Sequence, residues 1–257
     1  MPKAAISLLA LDTIPEIRQG DDLAGMILEA AKREDVALQS GDIVVIAQKI
    51  VSKAEGRTVD LSGVTPSEAA VTLAEKASKD ARLLEVILRE SREVLRAQQG
   101  VCIVEHRLGH IMANGGVDHS NVTAPDQSDD IVLLLPEDPD ASALALRQRF
   151  EAAGHTPLGV VISDSFGRPW RLGTTGVAIG TAGPSALIDR RGEVDMFGRT
   201  LASTEIGFAD GIASAAVLAM GEAAEKTPVV VVRGLIWTDT LQTARNILRP
   251  REKDMFR

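Results

Sequence analysis

A chain of 257 residues with 36 acidic against 28 basic side chains and a net charge of −8 is too acidic for a general nucleic-acid binder, which is normally basic. At 45% hydrophobic and 25% charged residues it has the composition of a globular protein rather than a disordered one, long enough for one large domain or two small ones. The single cysteine, Cys102, excludes an internal disulfide, and 3% aromatic residues without a tyrosine argue against a base-stacking surface.

Residues 4–11 read as a strand, and 22–34 as a helix capped by Asp21 or Asp22, with Leu23, Met26, Ile27 and Ala30 on one face. The N-terminal apolar run is short and lacks a signal-peptide cleavage site, and no apolar stretch approaches the roughly 20 residues needed to cross a bilayer. The expected location is therefore the cytoplasm, with no membrane partner. After a turn at Ser40-Gly41, the apolar run 43–47 predicts a strand buried on both faces. Just beyond it, Lys53 and Arg57 are candidates to face phosphates, although the glycine pattern of a Walker loop is missing.

Thr65-Pro66-Ser67-Glu68 predicts a helix start, with Thr65 as cap and Glu68 completing a capping box, and the helix runs to about Ser78. Asp80 is expected to cap the next helix, 81–96. Residues 101–105 and 110–113 read as short strands, with Cys102 a small buried strand residue. In 113–121, Gly115 and Gly116 allow a sharp turn, which sets Asp118 and Asn121 at a loop tip where a carboxylate and an amide can hold a hard cation and a phosphate. Taken alone, that segment is equally an ordinary Asn/Asp/Gly turn, and that is the preferred reading of it.

Residues 131–135 read as a strand and 141–153 as a helix capped by Asp140 and ended by Gly154. The doubly buried strand 158–163 then delivers Asp164 and Ser165 at its carboxyl end, where open α/β sheets bind ligands. A carboxylate beside a hydroxyl suits Mg²⁺ or Mn²⁺, and Arg168 and Arg171 offer forked donors to phosphate or carboxylate. The competing reading is a helix cap at Asp164 or Ser165 with solvated arginines. Residues 164–200 carry no assignable periodicity. Within them, 189–199 fit either an anion-binding loop or a salt-bridged surface hairpin.

A helix is expected over 204–222, with Ala209, Ala213, Ala216 and Ala219 allowing close packing. It ends at Met220-Gly221-Glu222, where a carboxylate opposes the helix dipole unless a cation or solvent compensates. Residues 228–233 read as a strand and 238–248 as a last helix. The mixture predicts an α+β (mixed α/β) fold with a second sub-domain of unreadable boundary. His106, His110, His119 and His155 lack zinc spacing.

Taken together and in order, residues 41–57, 114–121, 164–171, 178–180, 192–199 and 229–235 resemble the coenzyme F-420:L-glutamate ligase family, also called F-420-0:gamma-glutamyl ligase, over almost the whole chain. The resemblance implies a GTP-dependent ligation that adds L-glutamate to the deazaflavin coenzyme F-420-0. It also implies divalent cations, Mg²⁺ or Mn²⁺ at two sites, with K⁺ as a further candidate, and a homodimer of a distinctive fold with two sub-domains. By resemblance, Asp118, Asp164, Ser165 and Glu222 correspond to metal positions. Ile14, Pro15, Glu16 and Ile17 correspond to nucleotide positions, as do Gln48, Lys49, Lys53 and Asn121 and the region of Met220 and Gly221.

Lys53 and Arg171 are the candidates for stabilising transition-state charge. Relatives can carry Thr at the place of Ser165 and Ser-Thr at that of Gln48-Lys49. Some relatives carry a C-terminal flavin-dependent reductase domain; this sequence ends at Arg257, so one ligase domain over 1–257 is expected without that second activity. Two other readings remain: a metal-dependent phosphohydrolase using the same carboxylates with water, and a non-catalytic deazaflavin-binding protein that needs neither nucleotide nor metal.

Overall fold

Alternation along a few very apolar strands builds the centre of the protein. In the computed structural model, which describes residues 5–119, 130–155 and 157–255, six strands form one sheet. They are β1 (Ser7–Leu11), β2 (Ile43–Ala47), β8 (Gly159–Arg168), β9 (Arg171–Pro184), β12 (Val229–Arg233) and β13 (Asp239–Thr240), in the order β1-β12-β2-β8-β9-β13. Only β2 and β8 run parallel. Successive strand residues point to opposite faces. Val44, Ile46, Val160, Ile162, Val229 and Val231 therefore pack under helices α1 (Leu23–Arg33) and α5 (Pro139–Ala152), whose Ile27 and Phe150 are fully buried. Ile43, Val45, Val161, Val230 and Val232 pack instead against Ile212, Ala213 and Ala216 of α6 (Phe208–Met220). The continuous apolar runs follow from this two-sided burial.

The small residues of β9 let both helix layers touch bare backbone. A Cβ on Gly176 would lie 2.2 Å from the carbonyl oxygen of Ala213 in α6, and one on Gly180 would lie 2.2 Å from that of Pro139 in α5. A register shift against β8 between the pairs Ile162–Gly180 and Ser163–Ala178 separates these two contacts.

Several of the remaining elements surround a third apolar cluster that includes Leu61, Leu84, Ile87, Val104, Val132 and Leu134. Helix α2 (Gln48–Ala54) leads from β2 to β3 (Thr58–Asp60), which pairs with β7 (Ile131–Leu133). Helices α3 (Glu68–Ala77) and α4 (Ala81–Arg89) precede a three-stranded sheet of β4 (Ser91–Gln98), β5 (Val101–His106) and β6 (Ile111–Ala113). Cys102 is buried in β5, as expected. A hairpin of β10 (Leu187–Asp189) and β11 (Glu205–Gly207) completes the α+β fold. Among the described residues no helix is long and apolar enough to cross a membrane.

Several boundaries differ from expectation. The cap of α3 is Ser67, whose hydroxyl accepts from the Ala70 N–H, rather than Thr65. Residues 91–96 are not helix: α4 stops at Arg89, and β4 pairs antiparallel with β5, a long-range contact that overrides local preference. Asp138 rather than Asp140 caps α5, with Pro139 in the first turn. The Asp140 carboxylate instead accepts from the Thr181 and Ala244 N–H groups at 3.0 and 2.8 Å. The expected helix 238–248 is the short β13 followed by the 3-10 turn Ala244–Ile247, and α6 begins at Phe208 because residues 205–207 pair with β10. The strand through Ser163 continues as β8 to Arg168, so neither Asp164 nor Ser165 caps a helix.

Candidate active site

Where β2 passes directly into α2 at Gln48, the carboxyl ends of neighbouring elements converge on a cleft of about 860 Å³. Lys49 and Lys53, one turn apart on α2, both line it. Gln48 lines it too but is nearly buried, its side-chain oxygen accepting from the Ser52 hydroxyl at 2.9 Å. From β8 come Ser163, Asp164, Ser165 and Phe166.

One wall is the segment Ile14, Pro15, Glu16 and Ile17, which follows β1. It is fixed from both ends. The N–H and hydroxyl of Thr13 donate to Glu34 Oε1 at 2.9 and 2.6 Å, and Ile17 is buried in the core.

Asp118 reaches the cleft through the turn Asn114–Gly116, with positive φ at Asn114, Gly115 and Gly116. It does not sit at a loop tip. Its N–H donates to the Leu133 carbonyl at 3.0 Å and its carbonyl accepts from the Leu133 N–H at 2.9 Å, an isolated bridge that fixes its backbone.

Another wall is Met220, Gly221 and Glu222, followed by the turn that leads into β12. Gly221 has φ 72 and ψ 176, a backbone conformation that belongs essentially to glycine, so the chain leaves α6 at this point through glycine. The Thr227 hydroxyl donates to the carbonyls of Met220 and Ala219 at 2.7 and 3.2 Å, capping the free end of α6.

Charges in the cleft are strongly coupled. The Lys49 ammonium lies 2.7 Å from Asp118 Oδ2. Asp164 touches the cleft but is otherwise enclosed by protein, and its carboxyl is pushed up to about 7. Burial is the main cause; the Ser165 N–H and Lys49 pull the other way, and the nearby carboxylates of Asp118 and Glu222 push it further up. The Lys53 ammonium is shifted down by burial, with Glu16 supporting its charge and Lys49 opposing it.

The candidate positions thus fall together with four exceptions. Arg57 does not line the cleft: its Nε donates to the Leu135 carbonyl at 2.9 Å and its Nη2 meets Glu90 at 3.0 Å. Arg168, at the end of β8, does not line it either. Asn121 lies outside the described residues. Arg171, grouped with Lys53 in the sequence reading, does not line the cleft: β8 runs on past Asp164 as a strand and leaves Arg171 exposed at the turn into β9. The arginines of 189–199 belong to a salt-bridged hairpin. Arg191 meets Asp189 at 2.6 Å, Arg190 meets Glu193 at 2.8 Å, and Val194 bridges Thr200. Lys226 and Thr227 also line the cleft, outside every motif singled out in the sequence. The signal for them was the position of their loop, between the end of α6 and the start of β12.

Among the described residues no three Asp, Glu, His or Cys side chains form a ready-made metal group. The donor chemistry nevertheless fits a hard cation. Asp118, Asp164, Glu222 and the Ser165 hydroxyl are all oxygen donors on one cleft, and a cation would offset the burial and, secondarily, the carboxylate repulsion that raise Asp164.

The F420-0:Gamma-glutamyl ligase family matches residues 12–234. The chain is 42% identical to a coenzyme F420:L-glutamate ligase of Methanothermobacter thermautotrophicus over 98% of its own length and 99% of the relative's. It is 44% identical to the enzyme of the same name from Methanopyrus kandleri over 97% and 98% of the two chains, and 42% identical to that of Methanocaldococcus jannaschii over 86% of each. With matches of this length and identity, the chain belongs to the F420-0:gamma-glutamyl ligase family.

Proposed function

We propose that the chain is a ligase that joins L-glutamate to coenzyme F-420-0 through an amide bond, at the expense of GTP. The observation that carries this reading is the single cleft into which separated segments of a member of this family bring Glu16, Lys49, Lys53, Asp118, Asp164 and Glu222. That set combines cations for phosphates with carboxylates for metal ions.

A carboxylate does not react with an amine at neutral pH unless it is activated. In this reading a carboxylate oxygen of the coenzyme's tail attacks the γ-phosphorus of GTP, the bond from that phosphorus to the bridging oxygen breaks, and GDP leaves. The amine of L-glutamate then attacks the acyl carbon of the acyl phosphate and loses a proton as phosphate departs. Further rounds add γ-linked glutamates.

Asp118, Asp164, Ser165 and Glu222 would hold two divalent cations, Mg²⁺ or Mn²⁺, with K⁺ as a further candidate; these ions would supply charge neutralisation between nucleophile and triphosphate. Lys53, whose charge is incompletely solvated, would meet the negative charge that develops on the phosphoryl group. The walls at Ile14–Ile17 and at Met220 and Gly221 would hold the nucleotide and keep water from the acyl phosphate. The enzyme would act as a cytoplasmic homodimer. Support for the dimer comes from the exposed apolar side chains Trp170 and Leu172 on the β8–β9 hairpin and Met196 and Phe197 near β10.

The test is to incubate the purified protein with F-420-0, L-glutamate, GTP and Mn²⁺ and to weigh the products by mass spectrometry. The coenzyme should gain one or more glutamyl units, with GDP and phosphate formed in step. Phosphate release that does not depend on L-glutamate, with no heavier coenzyme, would sink the ligase reading in favour of a phosphohydrolase.

A further inference from the structure

The two lysines of α2 have different electrostatic surroundings. Lys49 places its ammonium 2.7 Å from Asp118 Oδ2, and about a third of each side chain remains open to the cleft. Its charge also reaches Asp164 and opposes the effect that Asp118 and Glu222 have there. Lys49 therefore stands against carboxylates that otherwise repel one another. Lys53 is closer to Glu16 than to this group in its effects, and the Lys49 charge works against its own. One lysine neutralises the acidic side of the cleft; the other remains to meet an anion.

We propose that Lys49 is a built-in counter-ion of Asp118, which a divalent cation has to displace from the carboxylate in order to bind. The inference rests on the metal-dependent ligase reading above and concerns the same site. At 2.7 Å the ammonium already lies against Oδ2, and a metal ion brought to the same carboxylate would be repelled by that charge at close range. A lysine carries its charge on a long flexible stem, so once displaced it can turn towards a nucleotide's phosphates in the same cleft. Metal binding then frees the cation that the nucleotide needs. Metal and nucleotide accordingly bind with positive coupling, each raising the affinity for the other.

The experiment is a calorimetric titration of Mn²⁺ into the purified full chain without nucleotide, for wild type, Lys49→Met, Lys49→Gln and Lys49→Arg, with thermal melting to establish that each variant is folded. Lys49→Met and Lys49→Gln are expected to bind Mn²⁺ roughly tenfold more tightly than wild type, because no internal cation competes. Lys49→Arg, which keeps the charge, should stay near wild type. A purely structural role for Lys49 moves affinity the other way, since a loosened site binds metal less well. Equal or weaker binding in both neutral variants overturns the counter-ion while leaving the metal-dependent reading in place. Failure of wild type and variants alike to bind Mn²⁺, with or without GTP, overturns the counter-ion and the metal-dependent reading together.

Discussion

Arg233 grips Asp42 with two nitrogens: Nε donates to Oδ1 at 2.9 Å and Nη2 to Oδ2 at 2.7 Å, joining the end of β12 to the start of β2. Asp42 is 1% exposed and also accepts from the Gln39 N–H at 2.8 Å. Breaking a buried pair from one side strands the other charge. Asp42→Ala should therefore cost about 3 kcal/mol of unfolding free energy, measured by urea denaturation. A loss below about 0.5 kcal/mol, the size of an ordinary surface substitution, would show that the pair has no structural weight.

Lys53 and Arg171 were equal candidates for transition-state stabilisation in the sequence, and the structure separates them. Lys53→Met should lower ligase turnover by about a hundredfold or more, as expected for loss of one stabilising charge. Arg171→Met, at an exposed position away from the cleft, should change turnover far less. Steady-state kinetics on the two variants decides this, and equal losses would mean that Arg171 acts through something other than the cleft described.

Asp164 is held as a carboxylate only at a cost, because burial and two neighbouring carboxylates oppose its charge. Asp164→Ala should leave the melting temperature of the protein unchanged or slightly raised while turnover falls by about two to three orders of magnitude. Full turnover with normal metal dependence in this variant would remove Asp164 from the site.

His110 is buried against the edge of the Phe166 ring, with centroids 5.8 Å apart. Burial, and secondarily His106, push its pKa down from 6.5 to about 4. The unfolded chain therefore binds a proton that the folded chain refuses between these values. The contribution of His110 to stability is complete above pH 6.5 and is lost as pH falls towards 4. It should amount to about 3 kcal/mol across that window. Denaturation curves for wild type and His110→Phe over this range should diverge, the variant being flatter; parallel curves would count against the assignment.

Gly176→Ala would place a methyl carbon 2.2 Å from the Ala213 carbonyl oxygen, so α6 must move off β9. Overpacking of this kind costs about 1–3 kcal/mol. The same shift displaces Met220, the last residue of α6, and with it the start of the cleft wall. A lower melting temperature is expected, together with a raised KM for GTP in the proposed ligation, and a variant with both unchanged would mean the helix is not seated as described.

Legibility in the sequence followed the range of the interactions. The strands β2, β8 and β12 were readable because burial on two faces leaves a continuous apolar run. Strand β4, in the separate three-stranded sheet, was not, because Val94 and Ala97 fit a helical period as well as a strand and only pairing with β5 decides between them. The cap of α5 was misplaced for a related reason. Asp138 and Asp140 are chemically equivalent as caps, and what removes Asp140 is a contact with Thr181 and Ala244, far along the chain.

In the site, the segments carrying Lys49, Asp118, Asp164 and Glu222 were each visible as polar residues beside apolar strands or helices. The pairing of Lys49 with Asp118 was not, because it joins two segments whose mutual approach no local pattern encodes. The long β8–β9 hairpin was hidden by its glycines, which weaken strand periodicity while permitting the close helix contacts.

Glu222 follows the last residue of α6 closely, and Thr227 ties the return of its loop to that helix before the chain enters β12. Glu222 thus sits on an exposed loop whose two ends, Met220 and Val229, are anchored in the protein interior. A ligand that pulls on Glu222 must also pull on the final turn of α6 and the first amides of β12. Occupation of the cleft should consequently be readable at a distance, as slower exchange of those backbone hydrogens with solvent.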